Sequence, residues 1–490
     1  MILADLAALS PFLIAIGGVF AYLVARVLPA RNLRWTGTFS AAWLAAVFLV
    51  LLAAGVTGSF GPSAIPGPIL QPSPLGIAFA LLVTFLGAAA ALASQGRLDP
   101  RGPLRLYYPL LLFAIAGASA AGLTRDLFTL FVSVELSAIP SYALVAYLHG
   151  EEPRAIPAAV KYLFQGVTGT LTALLGVALL YLAGHTLTIA DLPLALAGAD
   201  PVLLAAAATL VTVGYGVKLG VVPLHTWLPD AYSFAPAGVT AVMAGATKAG
   251  SLLALVLSLA ALPAGGGSAL AGILLIVLAV LTMTAGNLLA LAQTDVRRLL
   301  AYSSIAQMGY ILLPFGIGLT YGVATGILAG LFYAVAYGLM KGGAFLSADL
   351  LAASAGSTET ARMEGAGGRN PVVGVAFSIF VLGLVGVPAT AGFAGKALIF
   401  LAGMSTLTWG GVALALILAA NSALSLGYYV PLLSTVLFGG HGGAGGRRIP
   451  LAGVIAVALL AVVTVMLGFF PWAISGWLGS AAAYFPWGVA

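Results

Sequence analysis

Long apolar stretches recur from one end of the chain to the other, separated by short polar or glycine- and proline-rich segments. Stretches of about twenty apolar residues are long enough to cross the hydrocarbon core of a bilayer as helices. The pattern therefore predicts an all-α, polytopic membrane protein with about fourteen transmembrane spans. The predicted spans are centred on residues 3–25, 36–55, 74–95, 106–123, 127–147, 158–183, 203–228, 237–261, 268–291, 298–317, 321–350, 371–403, 407–437 and 450–477.

The composition supports this class and excludes several kinds of chemistry. Of the 490 residues, 62% are hydrophobic and 7% are charged, whereas soluble domains carry about 25% charged residues. Cysteine is absent, which excludes disulfides, thiolate metal sites and iron–sulfur ligands. His149, His185 and His441 fall in separate loops, and the sequence has no phosphate-binding loop, zinc-protease motif or nucleophile elbow. We therefore expect the chain to hold no metal and no cofactor of its own.

The net charge of +6 is spread over the loops and predicts an orientation. Cytoplasmic loops of membrane proteins are enriched in arginine and lysine. Arg125 is the only arginine in the even-numbered loops, so the odd-numbered loops are predicted to be cytoplasmic. Both termini would then lie outside a cell's inner (cytoplasmic) membrane. Because the arginines form no single basic face, nucleic acid is not an expected partner. The odd-numbered loops contain Arg26, Arg31, Arg34, Arg97, Arg101, Arg105, Arg154, Arg297, Arg298, Arg362, Arg369, Arg447 and Arg448.

Ionisable residues inside the predicted spans are the candidate functional residues. An ammonium group in hydrocarbon costs at least about 3 kcal/mol, so such a residue indicates a function unless it serves an ion pair. The functional interpretation is a chain of protonatable groups that alternates with water across the membrane interior. The alternatives are structural ion pairs and, near span ends, interfacial anchors. The residues deep in spans are Glu135, Lys218, Lys248, Lys341 and Lys396, and those nearer the ends are Lys161 and His225.

Glu135 is the only carboxylate predicted to lie deep inside a span, alongside four lysines. Some of these lysines must therefore be neutral or be paired with Glu135. The imbalance predicts a switch in which the protonation of Lys218 depends on whether Glu135 stays close. Groups coupled in this way titrate together.

Two segments combine an apolar helix, a proline in mid-span and a lysine, namely GVKLGVVPLHTWL at 216–228 and GLVGVPATAGFAGK at 383–396. Pro223 and Pro388 each remove a backbone hydrogen bond, so the seventh and twelfth spans are predicted to be broken helices. Spans five apart cross the membrane in opposite directions. The two segments therefore suggest inverted repeats with sites near the membrane midplane.

Several motifs resemble a known family. They are VELSAIPSY around Glu135, VKLGVVPLHTWLPDAYSFAP from Val217, ATKAG around Lys248, QTDVRRLLAYSSIAQMGY at 293–310 and GVPATAGFAGK at 386–396. These motifs look like those of the antiporter-like subunits of respiratory complex I. The same family includes subunits of Mrp-type cation/proton antiporters and of membrane-bound hydrogenases.

The resemblance implies fourteen helices with two inverted five-helix repeats. The first three helices would occupy residues 1–100, and the first repeat, spans four to eight, residues 101–262. The second repeat, spans nine to thirteen, would occupy 263–438, and a linker with the fourteenth helix 439–490. The glycine-rich residues 440–446 are expected to be flexible.

The resemblance also implies a role for each buried ionisable residue. Glu135 and Lys218 would form the pair on the cytoplasmic side, and Lys248 would relay protons to the centre. Lys341 would continue the path and Lys396 would be the exit lysine.

Other residues complete this implied relay. His225 would belong to it, next to the break at Pro223. Gln307 and Tyr337 stand where the family often carries histidines, and neither titrates usefully near neutrality. The central path would then rely on lysines and ordered water, with Lys161, Gln307 and Tyr337 in accessory roles.

The implied function is that of a proton-translocating subunit of a redox-driven, complex I-like complex of the NADH:quinone oxidoreductase type. The chain itself would catalyse no redox step and bind no quinone. Its partners would be other membrane subunits, including further antiporter-like ones, and the lipid bilayer. Two alternatives stay open. One is a sodium/proton antiporter subunit of an Mrp-type or hydrogenase complex, and the other is a structural subunit that conducts no ion.

Overall fold

Helices make up nearly all of the chain that the computed structural model describes, and strand pairing there is limited to three isolated bridges. The described residues are 2–29, 32–33, 35–61, 69–95, 98, 104–263, 266–438 and 448–480. Outside them lie Arg31, Arg34, Arg97, Arg101, Arg447, His441 and the predicted linker at 440–446. The predicted all-α class is confirmed.

The helices follow one another with short connections. The first twelve are α1 (Ile2–Ala8), α2 (Ser10–Val27), α3 (Trp35–Val56), α4 (Pro74–Ala93), α5 (Leu104–Leu123), α6 (Leu127–Val145), α7 (Ala155–Gly184), α8 (Leu192–Ala195), α9 (Pro201–Leu219), α10 (Leu228–Phe234), α11 (Ala237–Val242) and α12 (Lys248–Ala260). The others are α13 (Gly266–Leu291), α14 (Val296–Tyr321), α15 (Ala324–Ala355), α16 (Ala366–Arg369), α17 (Pro371–Val385), α18 (Ala391–Met404), α19 (Trp409–Phe438), α20 (Leu451–Phe469) and α21 (Trp472–Gly479). A π-helical turn, Met243–Thr247, joins α11 to α12.

Thirteen helical segments among the described residues are long and apolar enough to cross a membrane. Each of them overlaps one of thirteen predicted spans. The remaining predicted span, 371–403, consists of the two shorter helices α17 and α18. Taken together as one crossing, these two helices complete the predicted set of fourteen. The division of the chain into two inverted repeats stays a prediction.

Contacts between connections show which of them lie on the same side of the bundle. A backbone bridge joins Leu70 to Thr124, in the second and fourth connections between spans, and another joins the fourth to the sixth. A third bridge joins Asp295 to Glu359, in the ninth and eleventh connections. Even-numbered connections thus meet even-numbered ones, and odd-numbered connections meet odd-numbered ones. This grouping is the one that successive membrane crossings require.

The seventh span is broken, as predicted, but the helix stops before its proline. Helix α9 ends because Gly220 adopts a left-handed backbone conformation with φ of 73°, which glycine adopts without a steric penalty. The next seven residues, 221–227, form turns and include Pro223, and α10 begins at Leu228. The predicted break of the span 203–228 therefore lies at Gly220, about one turn before the predicted position at Pro223.

Two hydrogen bonds hold this broken segment in place. The indole N–H of Trp227 donates to the carbonyl oxygen of Val217 at 2.8 Å. The backbone N–H of Val222 donates to the hydroxyl of Thr282, on α13, at 3.0 Å. Backbone groups that have left a helix inside a membrane need such partners, because lipid supplies none.

The twelfth span is broken in the same way. Helix α17 ends where Gly386 adopts a left-handed conformation with φ of 96°. Pro388 lies in the connection, and α18 then begins with Thr390 as its N-cap, whose hydroxyl accepts the backbone N–H of Phe393 at 3.3 Å. The predicted break at this span is confirmed.

The centre of the bundle is formed by α11, α12, α14 and α15, which are almost completely buried. The outer helices, such as α2, α3 and α13, leave more than half of their residues partly or fully exposed, and many of these are apolar side chains. Lys248 and Lys341 lie on the central helices, so both face protein and not lipid.

Candidate functional site: buried charges in the membrane interior

An ion pair joins Glu135 on α6 to Lys218 on α9. The Lys218 Nζ atom lies 3.1 Å from Glu135 Oε1, and the two side chains are 1% and 18% exposed respectively. Lys218 also donates a hydrogen bond of 2.6 Å to the hydroxyl of Tyr142. Truncating one partner of such a pair leaves a buried charge without compensation, which costs about 3–5 kcal/mol. The structure thus places Glu135 and Lys218 in direct contact, as the predicted dependence of Lys218 on Glu135 requires.

The local sequence explains the position of Lys218. This residue occupies the last turn of α9, immediately before the break at Gly220. The final carbonyl groups of a helix have no helical partner and favour a positive charge. An aromatic stack encloses the site, because the Tyr142 ring packs edge-on against Tyr162 at 4.5 Å and Tyr162 stacks on Trp227 at 4.2 Å.

Lys248 is the first residue of α12, directly after the π-helical turn. Its side chain is buried, and its Nζ atom has no hydrogen-bond partner among the described residues. The amine instead faces two aromatic rings, with the ring centre of Tyr232 at 5.4 Å and that of Tyr337 at 6.0 Å. A cation at this range is stabilised by the ring quadrupole. Tyr337 therefore contacts Lys248 in the predicted central relay.

Lys341, in the middle of α15, is also fully buried. Its amine donates a hydrogen bond to the hydroxyl of Ser303 and lies 3.5 Å from the hydroxyl of Tyr429. The ring of Phe345, one turn later on α15, lies 5.9 Å away. Lys341 thus has neutral polar partners from α14 and α19.

Lys396, on α18, binds the broken end of α17. Its amine donates hydrogen bonds to the carbonyl oxygens of Leu384 at 3.0 Å and Val385 at 2.8 Å. It also faces the ring of Tyr310 at 4.5 Å. The lysine therefore sits at the negative end of a half-helix, as Lys218 does in the other broken span.

Gln307 connects α14 to this second site. Its side-chain amide donates to the carbonyl oxygen of Leu384 at 3.2 Å, and its oxygen accepts a hydrogen bond of 2.5 Å from the hydroxyl of Tyr333. Gln307 and Lys396 consequently share one backbone acceptor. Gln307 is thus a hydrogen-bonded bridge between α14, α15 and the end of α17, next to Lys396.

The family of the chain follows from comparison with known proteins. A sequence profile of the family described as NADH:quinone oxidoreductase/Mrp antiporter, TM matches residues 124–422, which is more than half of the chain. The chain belongs to this family. The matched region includes Glu135, Lys218, Lys248, Lys341 and Lys396.

Relatives that match nearly the whole chain, in sequence or in structure, support this family membership. It is 36% identical to NADH-quinone oxidoreductase subunit N 1 of Sorangium cellulosum (strain So ce56), over 96% of this chain and 97% of the relative. Its fold resembles that of a chain in the archaeal membrane-bound sulfane sulfur reductase, with a TM-score of 0.85 and 28% identity over 99% and 98% of the two chains. A chain of respiratory complex I from Thermus thermophilus gives a TM-score of 0.77 and 29% identity over 95% and 98%.

Lys161 and His225, the candidate residues nearer the span ends, lie outside the contacts described so far. Lys161 pairs with Asp230 on α10 at 2.8 Å, and Asp230 lies 3.4 Å from Arg298. Lys161 is therefore part of an ion-pair network at this end of the span. His225 is partly buried in the broken segment and takes part in neither of these pairs.

The structure also shows a buried carboxylate near the odd-numbered end of a span, in addition to Glu135. Asp349 lies within α15, is 8% exposed and forms an ion pair with Arg297. The predicted span 321–350 contained Asp349, but its position near the end of that span resembled an ordinary loop-facing acid. Asp230 was likewise visible in the motif PLHTWLPDA, and only the folded chain shows its two cationic partners.

Proposed function

We propose that this antiporter-family chain moves protons across the membrane as a subunit of a redox-driven, complex I-like NADH:quinone oxidoreductase. The observation that carries the proposal is the buried Glu135–Lys218 ion pair at the break of α9. An ion pair of this kind stabilises the charged lysine only while the carboxylate stays close. Movement of Glu135 away from Lys218 would leave an uncompensated ammonium, which favours release of its proton toward the next acceptor.

The distribution of basic residues supports proton transfer. The sequence contains five lysines, and four of them, Lys218, Lys248, Lys341 and Lys396, are buried in the membrane interior. The arginines lie in or next to the connections between spans. A lysine amine can lose its proton in a buried site, whereas a guanidinium in effect cannot. Basic groups that can exchange a proton are therefore the ones found inside.

The proposed path runs from Lys218 to Lys248, then to Lys341, and leaves at Lys396, with ordered water between them. His225, Lys161, Gln307 and Tyr337 would have supporting roles. The chain would hold no cofactor, and electrons would pass through other subunits. The full-length relative is named as a subunit of NADH-quinone oxidoreductase, which favours the redox-driven assembly over a sodium/proton antiporter. Further membrane subunits, including antiporter-like ones, are the proposed partners.

Purification of the complex that contains this chain tests the proposal. We expect a redox assembly in which NADH oxidation by quinone changes the pH inside reconstituted vesicles. The size of this pH change should be the same with and without sodium. An assembly without redox subunits, in which proton flux requires sodium, would establish the antiporter function instead. Redox activity that proceeds with no proton flux would support the non-conducting structural role.

We further propose that the odd-numbered connections are cytoplasmic and that both termini lie outside the inner membrane. Support comes from the described arginines, of which Arg154, Arg297, Arg362 and Arg369 lie in or beside odd-numbered connections, whereas Arg125 lies in an even-numbered one.

Single cysteines provide a direct test of orientation, because the natural chain has none. Ala190 and Ala361 are exposed in the sixth and eleventh connections. We expect a membrane-impermeant maleimide to label Ala190→Cys in intact spheroplasts, and Ala361→Cys only in inverted vesicles. The reverse labelling pattern would show the opposite orientation.

A further inference from the structure

A small polar cavity lies at the odd-numbered side of the bundle, apart from the Glu135–Lys218 pair. Its volume is about 130 Å³, which is enough for several water molecules. Residues from the third, fifth and seventh connections and from the ends of α4, α11, α14 and α15 line it. They include Ser94, Glu151, Gly238, Arg297, Asp349 and Leu350, and we call this space the α15 cavity.

Asp349 is the most enclosed carboxylate of the α15 cavity. It is 8% exposed and pairs with Arg297, whose guanidinium also donates to the backbone carbonyl of Ser233 at 3.4 Å. Ser94 adds a neutral polar group to the wall, and its hydroxyl shares a hydrogen bond of 2.8 Å with the hydroxyl of Tyr107 behind it. A buried carboxylate thus lines a polar space that the odd-numbered connections and helix ends enclose.

Asp349 lies on the same helix, α15, as the central residue Lys341. Lys341, Phe345 and Asp349 follow one another at intervals of four residues, so they lie along one side of the helix. At 1.5 Å per residue, Asp349 is about 12 Å from Lys341 along the helix axis. Phe345 lies between the acid and the amine.

Phe345 belongs to a pair of packed aromatic rings next to the two central lysines. The Phe345 ring packs edge-on against that of Tyr232, with ring centres 5.6 Å apart. The Lys341 amine lies 5.9 Å from the Phe345 ring, and the Lys248 amine lies 5.4 Å from the Tyr232 ring. Each ring therefore has one buried lysine against it. We call Phe345 and Tyr232 the aromatic pair.

We propose that the α15 cavity is a second proton inlet, in which Asp349 accepts protons from the odd-numbered face and the aromatic pair gates their transfer to Lys341 and Lys248. The inference rests on the proposed proton-translocating function. Asp349 leaves Arg297 and takes a proton from a cavity water. When the Phe345 ring swings aside, water connects Asp349 to a neutral lysine amine, the proton moves to that amine, and the carboxylate pairs with Arg297 again.

Such an inlet suits the particular central residues of this chain. Gln307 and Tyr337 do not exchange protons near neutrality, so transfer from Lys248 onward depends on water. An inlet at Asp349 would supply Lys341, and through it Lys396, without passing Lys218. The two halves of the chain would then each have their own carboxylate, Glu135 in one and Asp349 in the other.

Acid variants in the intact, reconstituted complex test the role of Asp349. We expect Asp349→Asn to lower the number of protons moved per NADH by more than half while NADH oxidation continues, and Asp349→Glu to keep most of it. Glu359→Gln, which removes an acid from an exposed pair on the same face, is the matched control with unchanged pumping. A wild-type proton count in Asp349→Asn would overturn the proposal.

A double variant separates proton transfer from a purely structural ion pair. If Asp349 serves only to neutralise Arg297, then Arg297→Gln combined with Asp349→Asn should restore pumping. We expect pumping to stay low in the double variant, since the acid that still lines the α15 cavity, Glu151, is exposed and cannot replace the buried Asp349. Restored pumping would contradict the inlet.

The gate is tested by a leak measurement that needs no redox turnover. We expect Phe345→Ala, and more weakly Phe345→Leu, to speed the collapse of an imposed pH gradient several-fold in vesicles that hold the assembled complex. Phe315→Ala is the control, because Phe315 is an equally buried ring that packs against Gly330 instead. An identical collapse rate in the Phe345 and Phe315 variants would overturn the gate.

The inlet and the wider proposed function can fail separately. If Lys218→Met stops pumping while all Asp349 and Phe345 variants behave as wild type, the inlet alone is wrong. If neither the Lys218 nor the Asp349 variants change proton flux, proton translocation by this chain is wrong, and the inlet falls with it.

Discussion

Replacing Lys218 by methionine, or Glu135 by glutamine, is expected to abolish proton pumping by the reconstituted complex. The two groups form a buried ion pair of 3.1 Å at the break of α9. Methionine keeps much of the lysine volume but has no exchangeable proton. Glutamine keeps the shape of the glutamate but removes the charge whose movement would control Lys218. Proton uptake into vesicles, measured during NADH oxidation, checks this result.

Loss of stability has to be separated from loss of conduction in these variants. Each single change leaves one buried group without its partner, at a cost of about 3–5 kcal/mol. The double variant Glu135→Gln/Lys218→Met removes both charges, so it should assemble better than either single variant and still fail to pump. Arg362→Gln, in an exposed pair with Glu359, should pump normally. Full pumping in the double variant would contradict the role of this pair and favour a structural subunit.

Gly392→Ala is expected to prevent correct packing of the twelfth span and to remove the Lys396 site. A methyl group on Gly392, in the first turn of α18, would overlap the backbone carbonyl oxygen of Gly383 on α17. Backbone atoms of two packed helices cannot move aside as a flexible side chain can. Since Lys396 lies one turn further along α18 and binds the carbonyls at the end of α17, separation of the two helices would break both hydrogen bonds.

The amount of assembled complex after detergent extraction measures this effect. We expect a marked loss for Gly392→Ala, together with loss of pumping in any complex that remains. The matched control is Gly476→Ala in α21, because a methyl group there meets no atom within 4 Å. It should assemble normally, since alanine is the better helix former. Normal assembly and pumping of Gly392→Ala would show that α17 and α18 are not held as closely as described.

Some features of the candidate site could be read from the sequence because they depend on local chemistry. The four buried lysines can be recognised from the sequence alone, because a charge within an apolar run is costly in any membrane fold. They are Lys218, Lys248, Lys341 and Lys396. The broken spans were also predictable, because each combines a proline with glycines. Asp349 was not identified, because its importance comes from Arg297 and Phe345 and not from its neighbours in the sequence.

The sequence by itself determined the membrane class, the order of the spans, the two helix breaks and the set of buried lysines, because each follows from the cost of placing polar groups in lipid. The tertiary structure decided the partner of each lysine: Glu135 for Lys218, aromatic rings for Lys248, hydroxyls for Lys341 and helix-end carbonyls for Lys396. The partners of Lys218 and Lys341 come from helices far apart in the chain, and those of Lys396 come from the preceding helix across the break. Only the packing of the helices brings them within hydrogen-bonding or ring-contact distance.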